Sequence, residues 1–304
     1  MVSKEHVVWG YRLLLEREPE SEAVVAAKAQ CSSVSALVEE FLRSSEFRNK
    51  HPNLAVPENR WVMVEHPLGF RIWVNLADLA VSWAIMQGQY EPAEVAFVRQ
   101  HVRDGDSVLD IGTNIGFFSL LLSKLTGPTG RVVGFEPLSF LYEAAIKSVE
   151  ENQFVQCSIH NVALASQHGS AQLIYAPGST NWGGAFLSFD GVGLPEHASV
   201  SVPVAPLTDF VSDLAARFVK IDVEGAEHVV LSAAQDYLHQ HRPVVMSEIH
   251  EVQLKRVSGV TAFEYIGMMR RLGYRCFQLG TQGEIGRELT GQEGIGLASV
   301  IFIP

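Results

Sequence analysis

The chain contains few cysteines, no long apolar segment and no excess of positive charge. Its 304 residues include only Cys31, Cys157 and Cys276, without a CxxC spacing. This pattern indicates neither a disulfide framework nor a zinc site, and it is typical of a reducing compartment. No apolar run approaches the roughly eighteen residues of a membrane-spanning helix, and the first residues do not resemble a signal peptide. We therefore expect a cytoplasmic protein without a membrane segment.

The charge balance of the chain is acidic. Lys and Arg number 23 and Asp and Glu number 34, which gives a formal net charge of -11. Nucleic-acid affinity depends largely on basic side chains that contact phosphates, so we expect no nucleic-acid partner. Hydrophobic residues at 47% and charged residues at 19% are typical of a globular protein, and the length allows one large domain beside a small one.

The spacing of apolar residues predicts two domains. Residues 5–48 have helical periodicity, which predicts a small all-α domain over residues 1–57 that could contact a partner or a second copy of the chain. In residues 58–304, strands alternate with helices after an initial hairpin, as in an α/β fold with a parallel sheet covered on both faces. The predicted strands are 107–111, 131–135, 157–163, 217–221, 244–248 and an antiparallel pair at 274–279 and 297–303; the predicted helices include 115–125 and 139–151, and residues 177–195 are predicted as one surface loop.

The turn after the first of these strands reads DIGTNIG and indicates a nucleotide-type pocket. A dinucleotide fingerprint would place its second glycine where this chain has Asn114, so a pyrophosphate seat is not predicted. Asp110 at the strand end would repel a phosphate but would attract the α-ammonium of a methionine moiety. The turn therefore points to S-adenosylmethionine, and the alternative is a turn that keeps its glycines only for tight packing.

The next two strand ends carry groups that suit a nucleoside. Glu136 follows the second strand, at the edge where α/β sheets bind ligands, and its carboxylate could accept both ribose hydroxyls. Asn161, Val162 and Ala163 follow the third strand and could orient and sandwich an adenine. A solvated glutamate and ordinary core residues are the alternatives at these positions.

The fourth and fifth strand ends carry the candidate catalytic groups. Asp222 follows the fourth strand and is expected beside the reactive end of the cofactor, and Glu248 and His250 share one face of the fifth strand. His250 is the first choice as general base because imidazole changes protonation state near neutral pH. A rival arrangement holds Mg²⁺ between Asp222 and Glu248. Asn181 and Trp182, in the glycine-rich loop, are expected to bind the acceptor as part of a lid.

With these motifs, the chain resembles the FkbM family of S-adenosylmethionine-dependent methyltransferases. The motifs are Tyr90-Glu91-Pro92, the Asp110-to-Gly116 turn, Phe135-Glu136-Pro137, residues 220–227 and Glu248-Ile249-His250; the family's usual alanine is Thr113 here, a change that should leave the backbone contacts intact. The resemblance implies a Rossmann-like class I fold with a mostly parallel seven-stranded sheet. It also implies cofactor contacts for Glu91, Asp110, Gly112, Thr113, Asn114, Gly116, Glu136, Pro137, Asn161, Val162, Ala163 and Asp222.

The resemblance implies methylation of a hydroxyl on a small molecule such as a sugar, a polyketide or another secondary metabolite. N-methylation of an amine remains open because it needs much the same pocket. Two further alternatives are an NAD-dependent oxidoreductase, which the missing glycine disfavours, and a non-catalytic nucleoside-binding module. The N-terminal segment resembles a small helical domain of unknown function that occurs beside sugar- and methyl-transferring enzymes.

Overall fold

The computed structural model describes residues 2–51, 60–176, 183–189, 197–292 and 294–304. Contacts divide the chain into two units, Met1–Asn59 and Arg60–Pro304, which are described separately. In the described part of the chain, no helix combines the length and the apolar character needed to cross a bilayer.

The first unit is helical, and serine side chains begin each of its helices. Ser3, Ser21, Ser33 and Ser44 each accept a backbone N–H of the first helical turn, which satisfies a donor that the helix itself cannot pair. Tyr11 and Phe41 meet edge to face in the core, with ring centroids 4.9 Å apart. The helices are α1 (Lys4–Leu14), α2 (Glu22–Lys28), α3 (Val34–Arg43) and α4 (Ser45–Lys50).

The second unit begins with an antiparallel hairpin and continues as an alternation of strands and helices. Its elements, in chain order, are β1 (Trp61–His66), β2 (Phe70–Asn75), α5 (Ser82–Met86), α6 (Pro92–His101), β3 (Ser107–Ile111), α7 (Phe117–Thr126), β4 (Arg131–Phe135), α8 (Ser139–Glu151), β5 (Cys157–His160), β6 (Ala163–Leu164), β7 (Gly169–Tyr175), β8 (Phe186–Ser188), β9 (Ala198–Ala205), β10 (Phe218–Ile221), α9 (Glu227–Ala233), α10 (Gln235–His241), β11 (Val244–His250), α11 (Glu251–Ser258), α12 (Ala262–Arg271), β12 (Arg275–Leu279), β13 (Ile285–Leu289) and β14 (Leu297–Ile303).

The main sheet has the order β13-β12-β14-β11-β10-β3-β4-β5. Strands β11, β10, β3, β4 and β5 are parallel, and β12, β13 and β14 pair antiparallel, which confirms the predicted mostly parallel sheet with its antiparallel end. Both faces are buried: Val108 and Val132 pack on one side, and Leu109 and Val133 on the other. The carboxyl ends of the parallel strands therefore meet at one edge of the sheet, as expected for a ligand site.

Two features differ from the prediction. The main sheet has eight strands rather than seven, because β13 adds an edge that exposes four of its five residues and so lacks the alternation of a half-buried strand. Residues 177–195 are not all surface loop, since β8 lies inside this range with Phe186 and Leu187 buried. Strands β6, β9, β7 and β8 form a second, four-stranded sheet.

Candidate active site

The turns after β3 and β10 touch each other at the ligand-binding edge of the sheet. Gly112 has a φ of +89°, and a Cβ there would lie 1.8 Å from the carbonyl oxygen of Asp222. The Asp222 N–H donates to the carbonyl of Ile111 at 2.9 Å. Only glycine fits this position, because both the backbone conformation and the close approach exclude a side chain. The contact fixes Asp222 beside the first βα turn.

Glu136 connects the first two strand ends. Asn114 N–H donates to its Oε2 and Leu138 N–H donates to its Oε1, each at 2.9 Å. Burial raises the pKa of Glu136 to about 7, although both N–H donors act to lower it. Each carboxylate oxygen has a second lone pair, so the group can still accept a pair of hydroxyls. Its orientation is thus fixed before any ligand arrives.

These residues surround a cavity of about 270 Å³ with an apolar wall and an acidic wall. The apolar wall includes Leu138, Leu141, Val162, Ala163 and Leu187. The acidic side chains that line the cavity are Glu91, Glu136, Asp222, Glu224 and Glu248, with Tyr90 beside them. In the described parts of the chain, no lysine or arginine lines it. The cavity therefore favours a ligand with an apolar ring and a positive charge.

Burial and mutual repulsion raise the pKa values of carboxyl groups in the acidic wall. The pKa of Glu248 is raised to about 8 by burial and then by the charges of Asp222 and Glu224. Burial, with the charges of Asp222 and Glu227, raises the pKa of Glu224 to about 8. Burial also raises the pKa of Glu91 to about 7, against the opposing effect of Lys220. These carboxyls therefore exchange protons near neutral pH.

Lys220 lies beneath the acidic wall, in the middle of β10. Its Nζ is 3.2 Å from Asp222 Oδ2 and 4.7 Å from the ring centroid of Phe118. Burial alone would lower the pKa of Lys220, but the charges of Asp222, Glu91 and Asp110 outweigh burial and raise it. The ammonium therefore stays charged although it is only 4% exposed.

Four of the predicted cofactor contacts do not line the cavity. Thr113 Oγ1 donates to the Asp110 carbonyl and accepts from Phe135 N–H, and Gly116 begins α7 with a φ of +95°. The Asn161 amide donates to the carbonyls of Glu136 and Pro137. These side chains and turns hold the walls in place instead.

Asp110 is the fourth of these residues and is fully buried. Its Oδ2 accepts from Ser119 Oγ at 2.6 Å, and its Oδ1 has no hydrogen-bond partner among the described residues. Burial raises the pKa of this carboxyl above its ordinary value. The Ser119 hydroxyl draws the carboxylate toward α7, so Asp110 does not line the cavity, and its contact with the cofactor stays a prediction.

His250 also lies outside the cavity lining. Gln253 N–H donates to its Nδ1 at 3.5 Å, so the ring caps the first turn of α11. Glu248, two residues earlier, does line the cavity.

The expected acceptor contacts Asn181 and Trp182 fall outside the described residues. The expected Mg²⁺ site at Asp222 and Glu248 is not supported: no group of three or more metal-ligating side chains occurs in the described residues, and Lys220 already neutralises Asp222.

The family model of the methyltransferase FkbM domain matches residues 110–276, which include the DIGTNIG turn, the strand-end acids Glu136, Asp222 and Glu248, and the buried lysine. The chain belongs to the FkbM methyltransferase family. S-adenosylmethionine is accordingly its methyl donor.

Individual proteins that are similar to this chain have low sequence identity with it. The 31-O-demethyl-FK506 methyltransferase FkbM of Streptomyces tacrolimicus is 26% identical over 178 residues, which is 50% of this chain and 68% of that protein. The crystal structure of methyltransferase FkbM from Methylobacillus flagellatus has 14% identity and a TM-score of 0.42; the match covers 97% of this chain but 58% of that chain. TYW2 of M. jannaschii, solved with AdoMet, has 13% identity and a TM-score of 0.43 over 81% of this chain and 85% of that one.

The cavity of this FkbM family member fits S-adenosylmethionine. Val162 and Ala163 offer a flat apolar surface for adenine, and the fixed carboxylate of Glu136 suits ribose hydroxyls. Glu91 and Asp222 give the opposite end a negative potential, which suits the cofactor's positive groups. Two residues that sequence reasoning left without a role, Glu224 and Lys220, complete this acidic region. Their sequence signal is membership of the motif at residues 220–227, which does not by itself show what each side chain contacts.

Proposed function

We propose that this protein is an O-methyltransferase that acts on an uncharged, hydroxyl-bearing small molecule, and that residues 58–304 form its catalytic domain. The observation that carries the proposal is the pair Glu224 and Glu248. Both carboxyl groups line the cofactor cavity, and burial and neighbouring charges raise the pKa of each to about 8. A carboxylate of that basicity is suited to remove a proton from a hydroxyl during transfer, because general bases work best when their pKa lies near the working pH.

We assign the cofactor-holding roles to four cavity residues. Glu136 binds the ribose, Val162 and Ala163 pack against the adenine, and Asp222 attracts the positively charged end. When bound, S-adenosylmethionine supplies a methyl group on a positively charged sulfur. The residues then align the acceptor hydroxyl, exclude water around it and accept the proton that the hydroxyl loses.

Glu248 is the proposed general base in place of His250. It lies on the cavity surface, and its neighbours Asp222 and Glu224 increase its affinity for a proton. Glu224 has a left-handed backbone with a φ of 50°, which the turn between β10 and α9 imposes, and it is the second carboxylate available to the acceptor. His250 is occupied as the cap of α11.

The charge of the cavity narrows the acceptor class. An acceptor that carries a phosphate or carboxylate would meet several carboxylates and no basic side chain among the described lining residues. A nucleic-acid substrate is disfavoured for the same reason. The sequence contains only three cysteines and no CxxC spacing, which supports a reaction in the reducing cytoplasm. A role of the N-terminal helices in binding a partner or a second copy stays a prediction.

The test is a methyl-transfer screen on neutral polyols, their phosphate esters and matched amines, read by formation of S-adenosylhomocysteine and by mass spectrometry. We expect a methyl group on an oxygen of a neutral acceptor. Transfer to amines alone would indicate an N-methyltransferase, and cofactor binding without turnover would indicate a non-catalytic module. Unchanged turnover in a chelator would exclude the Mg²⁺ hypothesis.

The base is tested by Glu248→Gln, with the exposed Glu150→Gln on α8 as the matched control. We expect kcat to fall by about 100- to 10,000-fold in the first variant, as for loss of a general base, and to stay unchanged in the control. His250→Asn should keep most of its activity. If kcat falls as much in His250→Asn as in Glu248→Gln, this result would contradict the assignment of Glu248 and would support His250 as the general base.

A further inference from the structure

We propose that Lys220 is a positioning residue for cofactor binding: its buried ammonium fixes the orientation of the Asp222 carboxylate and favours the ionised form of Glu91, and both groups attract the positive end of S-adenosylmethionine. The proposal goes beyond the acceptor chemistry above, because it concerns the cofactor alone.

The position of Lys220 is unusual for a charged residue. It is the third residue of the central strand β10, and its register partners are Asp110 on β3 and Met246 on β11. Side chains at matching positions of parallel strands share one face of the sheet. Lys220 therefore lies between a carboxylate and a thioether on a covered face, where an apolar residue of similar length would pack without the cost of removing an ammonium from water.

The contacts of Lys220 connect it to the cavity without placing it there. Its Nζ is 3.2 Å from Asp222 Oδ2, and Asp222 lines the cavity together with Glu91. Lys220 itself is not a lining residue. Any effect on the cofactor must therefore pass through these carboxylates.

The charges around Lys220 explain why an ammonium is needed. The carboxylates of Asp222, Glu91 and Asp110 all act on it, and the charge of Asp222 raises the pKa of Glu91 and that of Asp110. Without the ammonium, burial and the charge of Asp222 would favour protonation of Glu91. A protonated wall would no longer attract a cation. The ammonium thus opposes protonation of Glu91 in the ligand-free protein.

A purely structural salt bridge would behave differently. It would contribute to the free energy of unfolding, but its loss would leave the pH dependence of cofactor binding unchanged. The pH profile of binding therefore separates the two roles.

The test uses the full chain and isothermal titration of S-adenosylmethionine and S-adenosylhomocysteine across a pH series without any acceptor. In Lys220→Met we expect the affinity for S-adenosylmethionine to fall about tenfold or more at neutral pH. The pH at which the affinity reaches its plateau should rise by about one unit or more, since loss of an adjacent cation raises a carboxyl pKa by that amount. S-adenosylhomocysteine lacks the charged sulfur and should lose less affinity.

The matched control is Lys124→Met, which removes an exposed ammonium on α7 that donates to the Gly69 carbonyl away from the cavity. Both affinities and both pH profiles should stay unchanged in this control. A folded Lys220→Met protein with the wild-type affinity and pH profile would overturn the proposal and leave Lys220 a structural residue.

A double variant tests the proposal in case Lys220→Met alone does not fold. Lys220→Met combined with Asp222→Asn removes both charges of the buried pair. Neither member of the pair is then left as a buried charge without its partner. If Lys220 acts through Asp222, the double variant should bind S-adenosylmethionine about as weakly as Asp222→Asn alone. A further loss of about tenfold beyond Asp222→Asn would show that Lys220 also acts through Glu91, whereas a double variant with the wild-type affinity would contradict the proposal. None of these readouts depends on methyl transfer, so failure of the proposed O-methylation would be seen separately.

Discussion

Gly112 provides the sharpest test of how the two strand-end turns build the cavity. In Gly112→Ala, the new Cβ would start 1.8 Å from the Asp222 carbonyl oxygen, whereas ordinary contact begins at about 3.4 Å. The two backbones must therefore separate by about 1.6 Å, which would break the 2.9 Å bond from Asp222 N–H to the Ile111 carbonyl. The left-handed backbone costs alanine about 1–2 kcal/mol, and the lost hydrogen bond costs about 1 kcal/mol more. We expect the free energy of unfolding to fall by about 3 kcal/mol.

The functional consequence should be larger than the loss of stability. A displacement of about 1 Å in a binding site can cost about 100-fold in rate, because alignment is lost. The assay is urea unfolding together with titration of S-adenosylmethionine. Gly259→Ala is the matched control, since Gly259 also has a positive φ, of +71°, but a Cβ there meets nothing within 4 Å. It should lose only the backbone contribution of about 1–2 kcal/mol and should bind the cofactor normally. Equal losses of stability in the two variants, with unchanged affinity in both, would refute this account of the Gly112 contact.

The remaining predictions concern pH and the helix that supports the sheet. Glu91, Glu224 and Glu248 have pKa values raised to about 7 or 8, so the ligand-free folded protein holds protons that the unfolded chain releases. Their contribution to stability is present below the ordinary carboxyl pKa of about 4.3 and is lost as the pH rises through 7 to 8. Thermal unfolding without ligand should show this decline in stability. The affinity for S-adenosylmethionine should rise over the same pH range, because a cation binds the ionised carboxylates. An affinity that stays constant from pH 6 to 9 would contradict the assignment of these carboxyl groups to the cofactor site. Thr261→Ala removes the hydroxyl that accepts Glu264 N–H at 3.3 Å at the start of α12, and should lower the free energy of unfolding by about 1 kcal/mol without affecting cofactor binding. A reduced cofactor affinity in Thr261→Ala would show that α12 takes part in the site.

The strand ends could be predicted from the sequence because each is an apolar run that ends in a carboxylate or a glycine. Asp222, Glu136 and Glu248 line one cavity, as expected when the carboxyl ends of parallel strands meet at one edge; their roles stay predictions. The helix α12 was predictable from its capping box, which the structure contains.

The direction of each side chain could not be predicted in this way. Asp110 turns toward α7 because Ser119 offers a hydroxyl there, and Asn161 turns toward two carbonyls of the β4–α8 connection. Lys220 is the first residue of the motif at 220–227, but its pairing with Asp110 depends on strand order rather than on local spacing. Strand β8 was missed because three residues between glycine-rich segments carry too little periodicity.

A crystal structure with S-adenosylhomocysteine tests the central claim most directly, since the claim is that the cavity at the strand ends is the cofactor site and that its acidic wall faces the reacting sulfur. We predict the ribose hydroxyls on Glu136, the adenine against Val162 and Ala163, and the sulfur nearer to the carboxylates of Asp222 and Glu248 than to that of Asp110. A ligand bound elsewhere, or one in this cavity with its sulfur directed away from Asp222 and Glu248, would contradict the account.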